Sequence, residues 1–209
     1  MKLRLGSTAS IALAALTMSA TSANAGLLVD AAESCDQQSL SQPFKPWLDF
    51  ANYTPLGGGD FESAAAGWTL SGGAAVASGN ETFYVAGAGD ASSLSVPAGA
   101  VATSPVICVG IEHPTIRFFA KRTAVGPLGQ GSLRVDVLFE NNLGVVSSLS
   151  IGTVGTTAGV WQPTVPMTVI ANLLPLLSGD HTAVAFRFTA QLGGSFSIDD
   201  IQVDPYQRK

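Results

Sequence analysis

Cysteine, histidine and charge are all scarce in this chain, and each scarcity excludes something. Two cysteines (Cys35, Cys108) and two histidines (His113, His181) cannot build a zinc site of the Cys/His type. Ten Lys and Arg stand against fifteen Asp and Glu, for a formal net charge of −5. Nucleic-acid binding leaves a footprint of clustered basic side chains, and none is present. The same lack removes attraction to an anionic membrane surface. No G-x-S-x-G elbow occurs, so a serine hydrolase of that kind is excluded, and no glycine-rich phosphate loop opens onto a helix. "GDH" sets Asp180 beside His181, but neighbours in sequence do not make a dyad. Glu112 and Glu140 sit at strand ends next to turn residues, where acids are routine. No catalytic constellation emerges.

What is present starts with an export signal. Lys2 and Arg4 precede the apolar run "IALAALTMSA", and "SANA" ends at Ala25 as an A-x-A-type cleavage site. The run is far shorter than the ~20 residues that span a bilayer. A buried N-terminal helix is the alternative, and the charge–apolar–small order favours a signal peptide over 1–25. Cleavage leaves 209 − 25 = 184 residues, enough for one well-buried domain. Without Lys2 and Arg4 the net charge becomes −7. The protein is expected outside the cell or in the cell envelope, with no membrane span in the mature chain.

Export also bears on the cysteines. An even count in an oxidising compartment favours a Cys35–Cys108 disulfide over two buried free thiols. Closing a loop of 108 − 35 = 73 residues stabilises a fold by roughly 4 kcal/mol on the chain-entropy model.

Residues 26–58 read as an irregular N-terminal arm. Phe44, Trp47 and Phe50 recur every three residues, as in a short helical turn or an extended strap, and Pro46 forbids a long helix. From Gly59 to Asp204 the pattern changes to short runs rich in Val, Ile, Thr and Phe, punctuated by Gly, Pro, Ser and Asn. "TFYVAG", "SSLSVP", "TIRFFAKR", "SLRVDVLFE", "AVAFRFTAQ" and "SFSIDDIQV" are among about eleven candidate strands, the signature of an all-β sandwich or barrel over 59–205. "NLLPLLSGD", broken by Pro175, reads as a crossover loop, with a helical turn as the alternative. Residues 206–209 form a tail.

Alternation sorts the strands into two faces. Leu133, Val135, Val137 and Phe139 point one way, Arg134 and Asp136 the other. Val184, Phe186 and Phe188 point in, and Arg187 points out. Ile116, Phe118 and Ala120 point in, and Arg117 and Phe119 point out. Three cations, Phe119 and Asp136 are therefore candidates for one exposed, ligand-binding face, with Tyr84 beside it. An ordinary solvated face is the alternative.

"GGGDFESAAAGWTL", "SSLSVPAGAVATSPVICV", "TIRFFAKR" and the closing "GSFSIDDIQVDP" together resemble the jelly-roll, galactose-binding-like carbohydrate-binding modules. The likeness spans about residues 57–205, and the arrangement with the "C…F-x-x-W" arm also resembles a group of secreted bacterial proteins. The resemblance implies a two-sheet antiparallel jelly-roll sandwich whose first and last strands pair. It also implies a structural calcium, with Glu62 and Asp199 as side-chain ligands and Asp200 and Asp60 as weaker candidates. Calcium takes six to eight oxygens, and a cation would relieve the repulsion between adjacent acids. Alternatively, Asp199 and Asp200 split across a bulge and cap backbone N–H groups without metal. The function expected is a secreted, non-catalytic module that binds a glycan or an envelope component; a structural or protein-interaction domain is the alternative. Such modules stack sugar rings on exposed aromatics. Here Trp68 and Trp161 sit where core packing is expected and Trp47 lies in the arm, so few aromatics remain for that role.

Overall fold

A computed structural model describes residues 38–110, 114–140, 145–169 and 181–205. The signal segment, Cys35, Glu112, His113, the 172–180 crossover, Asp180 and the tail lie outside them.

Among the described residues the alternating runs form thirteen strands in two antiparallel sheets. One sheet holds β1 (Thr54–Pro55), β3 (Ala75–Ser78), β4 (Ser92–Val96), β7 (Thr115–Ala124), β10 (Gln162–Pro163), β11 (Met167–Thr168) and β13 (Ser195–Asp204). The other holds β2 (Thr69–Ser71), β5 (Val101–Thr103), β6 (Ile107–Gly110), β8 (Ser132–Glu140), β9 (Val146–Val154) and β12 (His181–Gln191). Taking β5 with β6 and β10 with β11 as broken single strands gives eight strands from β4 to β13. Their order is first-eighth-third-sixth in one sheet and second-seventh-fourth-fifth in the other. That interleaving is the jelly roll.

The inward residues are the ones alternation selects. Ile116, Phe118, Leu133, Val135, Val137, Val184, Phe186 and Phe188 are all fully buried between the sheets. Burying a side chain of this size is worth roughly 1.5–3 kcal/mol, so this layer drives the fold. Two expectations need correction. "TFYVAG" is no strand but a turn-rich loop, because Glu81 ties its backbone to itself. Residues 101–103, unassigned in the sequence, form the separate strand β5.

The described part of the arm, from Gln38, packs on the sandwich. Ser41 and Tyr53 exchange two backbone hydrogen bonds of 2.8 Å, and β1 pairs with β13. Between them Lys45–Trp47 makes one 3-10 turn, closed by Leu48 in the left-handed region. This strap lays Phe44, Trp47 and Tyr53 on the outer face of β7, where they join Phe119 and Trp161 in a second apolar cluster. Cys108 is buried in β6, and no free cysteine stands among the described residues. No described helix is long and apolar enough to cross a membrane.

Candidate functional site

The six residues expected to share one ligand face are divided between two. Arg117 and Phe119 lie on β7, in the seven-stranded sheet; Arg134 and Asp136 on β8 and Arg187 on β12 lie in the other. Alternation tells inward from outward but not which sheet a strand joins.

On β7 the expectation of exposure fails. Phe119 is fully buried, with ring centroids 5.4–5.5 Å from Phe44, Trp47 and Phe83. Arg117 is only 6% exposed. Its guanidinium lies 4.2 Å over the Phe44 ring, donates from Nε to the Thr164 carbonyl at 2.7 Å, and pairs with Asp49 at 2.5 Å. Asp49 is partly buried, which alone would raise its pKa. Hydrogen bonds from the Ala51 N–H, the Tyr53 hydroxyl and Arg117 outweigh that and hold it below the usual carboxylate range. Burial, with the hydrogen bond to Asp49, pushes the Tyr53 hydroxyl well up. This is a strap anchor and not a ligand site. Asp49 had no sequence signal beyond its place in an aromatic-rich arm.

The other three residues do meet. Arg134 and Arg187 both pair with Asp136 Oδ2 at 3.1 Å on the outer face of the six-stranded sheet. Arg187 stands opposite Thr103 on β5 and Asp136 on β8, and Asp136 stands opposite Ser150 on β9. Thr103 in turn stands opposite Thr69 on β2. Directly opposed residues share a face, so one polar row crosses five of the six strands. Asp136 itself is buried beneath its two partners, against the expectation of an exposed acid. Tyr84 is 53% exposed, but on the 79–90 loop that covers the opposite sheet.

The expected calcium ligands are also rearranged. Asp199 is fully buried; one oxygen accepts the Glu81 N–H at 2.9 Å and the other the Asp200 N–H at 3.0 Å. Glu62 is exposed, and its Oε1 accepts from the Ala91 and Ser92 N–H groups at 2.8 and 2.7 Å. Asp60 accepts the Glu62 N–H at 3.3 Å. The register between β13 and β7 shifts between Asp199 and Gln202, a bulge that puts Asp200 at φ 47. Gly59 packs against this bulge so closely that a Cβ would fall 2.9 Å from the Leu56 carbonyl and 3.1 Å from Ile201. The aspartates therefore do cap backbone groups across a bulge: Asp200 Oδ2 accepts the Ala86 N–H at 3.3 Å. Glu81, fully buried, accepts from Val85 at 2.7 Å and from Phe83. Sequence reasoning missed Glu81, although the Gly79-Asn80 turn signal just before it argued against reading on into a strand.

Yet these acids are costly to ionise. Burial pushes Asp199 up to about 8, opposed by its backbone hydrogen bonds and reinforced by the charges of Asp200 and Glu81. Burial likewise pushes Asp200 up to about 7, with Glu81 and Asp90 adding to it. Asp90 is raised by burial and by Glu62 and Asp60. Among the described residues no basic side chain pairs with any of these acids. Two carboxylate oxygens, Asp200 Oδ1 and Asp90 Oδ2, are buried without a hydrogen-bond partner. No group of three described His, Cys, Asp or Glu side chains converges as a metal site. Calcium also takes main-chain carbonyls and water, and each of these free oxygens is of the type it accepts. Beside Asp200 runs a groove of about 450 Å³ lined by Leu40, Pro43, Pro55, Asp60 and Gln202.

No family model and no curated protein matches the chain. Solved structures do resemble it. The CBM22-1–GH10 modules of Clostridium thermocellum xylanase 10B, complexed with xylohexaose, match at 15% identity and TM-score 0.48, over 72% of this chain and 28% of that one. The CBM22-2 xylan-binding domain of Paenibacillus barcinonensis Xyn10C matches at 15% identity and TM-score 0.48, over 69% and 96%. TmCBM61 in complex with β-1,4-galactotriose matches at 13% identity and TM-score 0.43, over 71% and 95%. The chain thus spans under a third of the first of these and nearly all of the other two.

Proposed function

We propose that the protein is an exported, non-catalytic binding module for a glycan, engaged on the outer face of the six-stranded sheet. The observation that carries this reading is the polar row Thr69–Thr103–Arg187–Asp136–Ser150, which puts hydroxyl, guanidinium and carboxylate groups across five strands at sheet spacing. Adjacent strands lie about 4.8 Å apart, close to the length of one sugar ring, so successive residues of an extended glycan meet successive strands. On the opposite sheet Arg117 and Phe119 are buried under the arm.

Two structural supports belong to the reading. Gln38 Nε2 donates to the Cys108 carbonyl at 2.9 Å, which brings the chain three residues after Cys35 against β6 and supports the Cys35–Cys108 disulfide. Mass spectrometry of the unreduced protein should recover the linked peptide, and two alkylated thiols would refute it. The acids that are costly to ionise support a structural calcium, with Asp200 and Asp90 as side-chain ligands in place of Glu62 and Asp199.

Calorimetric titration of the mature chain with xylan, β-1,4-galactan and other soluble glycans tests the main reading. Binding to none of them overturns it. A protein-interaction domain is the second reading, favoured by Leu48, Phe50 and Tyr84, which lie well exposed on the arm and the 79–90 loop. Leu48→Ser with Phe50→Ser leaves glycan binding intact on the first reading.

A further inference from the structure

We infer that the glycan is acidic: the Arg134–Asp136–Arg187 cluster is a site for the carboxylate of a uronic-acid-containing polysaccharide. The inference rests on the sheet-face reading above and narrows its ligand class. Its basis is a charge mismatch held in fixed geometry. Arg134 donates from Nε and reaches from its terminal nitrogen to Asp136 Oδ2, each at 3.1 Å. Arg187 approaches the same oxygen from Nε at 3.2 Å and from its terminal nitrogen at 3.1 Å. Two guanidinium charges thus share one carboxylate, leaving a local excess of one positive charge on a chain whose formal net charge is −5.

The arrangement is layered. The Asp136 side chain is 4% exposed, whereas those of Arg134 and Arg187 are 36% and 31% exposed. The buried carboxylate fixes both forks from below and leaves their outer edges to solvent. A guanidinium carries five N–H donors. Each uses two on Asp136, so about three apiece remain for a ligand. Forks held in place lose little freedom on binding, and their planar donor pairs match a carboxylate in bidentate fashion. Hydroxyl donors flank them: Thr103 stands opposite Arg187, and Thr189 and Thr153 stand opposite Arg134. No aromatic residue stands in these registered rows, so the ligand is read through hydrogen bonds and charge. A polyanion satisfies both, whereas a neutral glycan offers hydrogen bonds alone.

Polygalacturonate is the probe, compared with its methyl-esterified form, with neutral xylan and with dextran sulfate, on the mature chain. Polygalacturonate should bind most tightly, weaken as salt rises, and weaken on esterification. Arg187→Ala should cost about ten- to a hundredfold in affinity, the range for a charge-assisted hydrogen bond. Arg187→Lys keeps the charge but loses the fork, and should recover only part of that loss. Equal affinity for xylan and polygalacturonate, indifferent to Arg187→Ala, would overturn the acidic ligand while leaving a glycan-binding module. Dextran sulfate bound as tightly as polygalacturonate would overturn the assignment to carboxylates. Binding of no glycan would remove the sheet-face reading and this inference with it.

Discussion

Arg117 on β7 and Arg187 on β12 sit in the same kind of sequence, a basic residue between inward-facing bulky ones. Arg117 is 6% exposed at the residue level, and the Arg187 side chain is 31% exposed. The difference lies in what covers the strand. The arm lays Phe44 and Trp47 over β7 and supplies Asp49 to meet the buried cation. On β12 the partner acid comes from the neighbouring strand of the same sheet, and both guanidiniums remain at the surface. One outer face has become a second core; on the other, Arg134 and Arg187 keep about a third of their side chains exposed.

Removing the centre of that second core should have the largest effect. Phe119→Ala deletes a fully buried ring that Phe44, Trp47 and Phe83 all touch. The expected cost is about 3–5 kcal/mol, read from chemical denaturation. A loss below about 1 kcal/mol would mean that the strap does not bear on β7. Arg117→Ala comes next, at about 3 kcal/mol, because it leaves Asp49 and the Thr164 carbonyl without their shared donor. A loss near zero would show the strap anchor to be a solvated surface pair.

How much of this was legible in the sequence follows from the same contrast. Period-two alternation is local, so the spacing of Ile116, Phe118, Val135 and Phe186 is enough to place them inward. Burial of an outward residue is set by what packs over it, and here that segment lies some seventy residues earlier in the chain. Phe119 carries no local mark of this. Strand registry is equally non-local, so the meeting of Arg134, Asp136 and Arg187 was legible only as a shared outward direction. For the acids the motif "IDD" marked a special place correctly. The bulge at Asp200 and the loop wound on Glu81 decided which oxygens are occupied, and neither has a spacing signature.

The third effect separates buried acids from a bound cation. Asp199 and Asp200 are raised from 3.8 to about 8 and about 7, so the folded state favours their neutral forms. Their contribution is fully present below about pH 4 and is lost as pH rises through 7 to 8. In chelator, the melting temperature should therefore fall across that window, and Asp199→Asn with Asp200→Asn should flatten the fall. Calcium added at pH 8 should restore what ionisation removes, through binding to the folded state alone. A melting curve identical in calcium and chelator would leave backbone capping as the whole account of the two aspartates.

The smallest effect is expected where the ligand is placed. Arg134 and Arg187 are about a third exposed, and exposed ion pairs contribute about 0–1 kcal/mol. Either guanidinium alone still satisfies Asp136, because both reach the same oxygen. Arg187→Ala should therefore shift stability by no more than about 0.5 kcal/mol, against about 3 for Arg117→Ala, although the two arginines look alike in sequence. The double replacement of Arg134 and Arg187 is the control that sharpens the contrast. It leaves Asp136 without either cation, and its cost should exceed the sum of the single losses. If Arg187→Ala alone destabilises as much as Arg117→Ala, the cluster is a structural clamp, and the open face has been assigned to the wrong sheet.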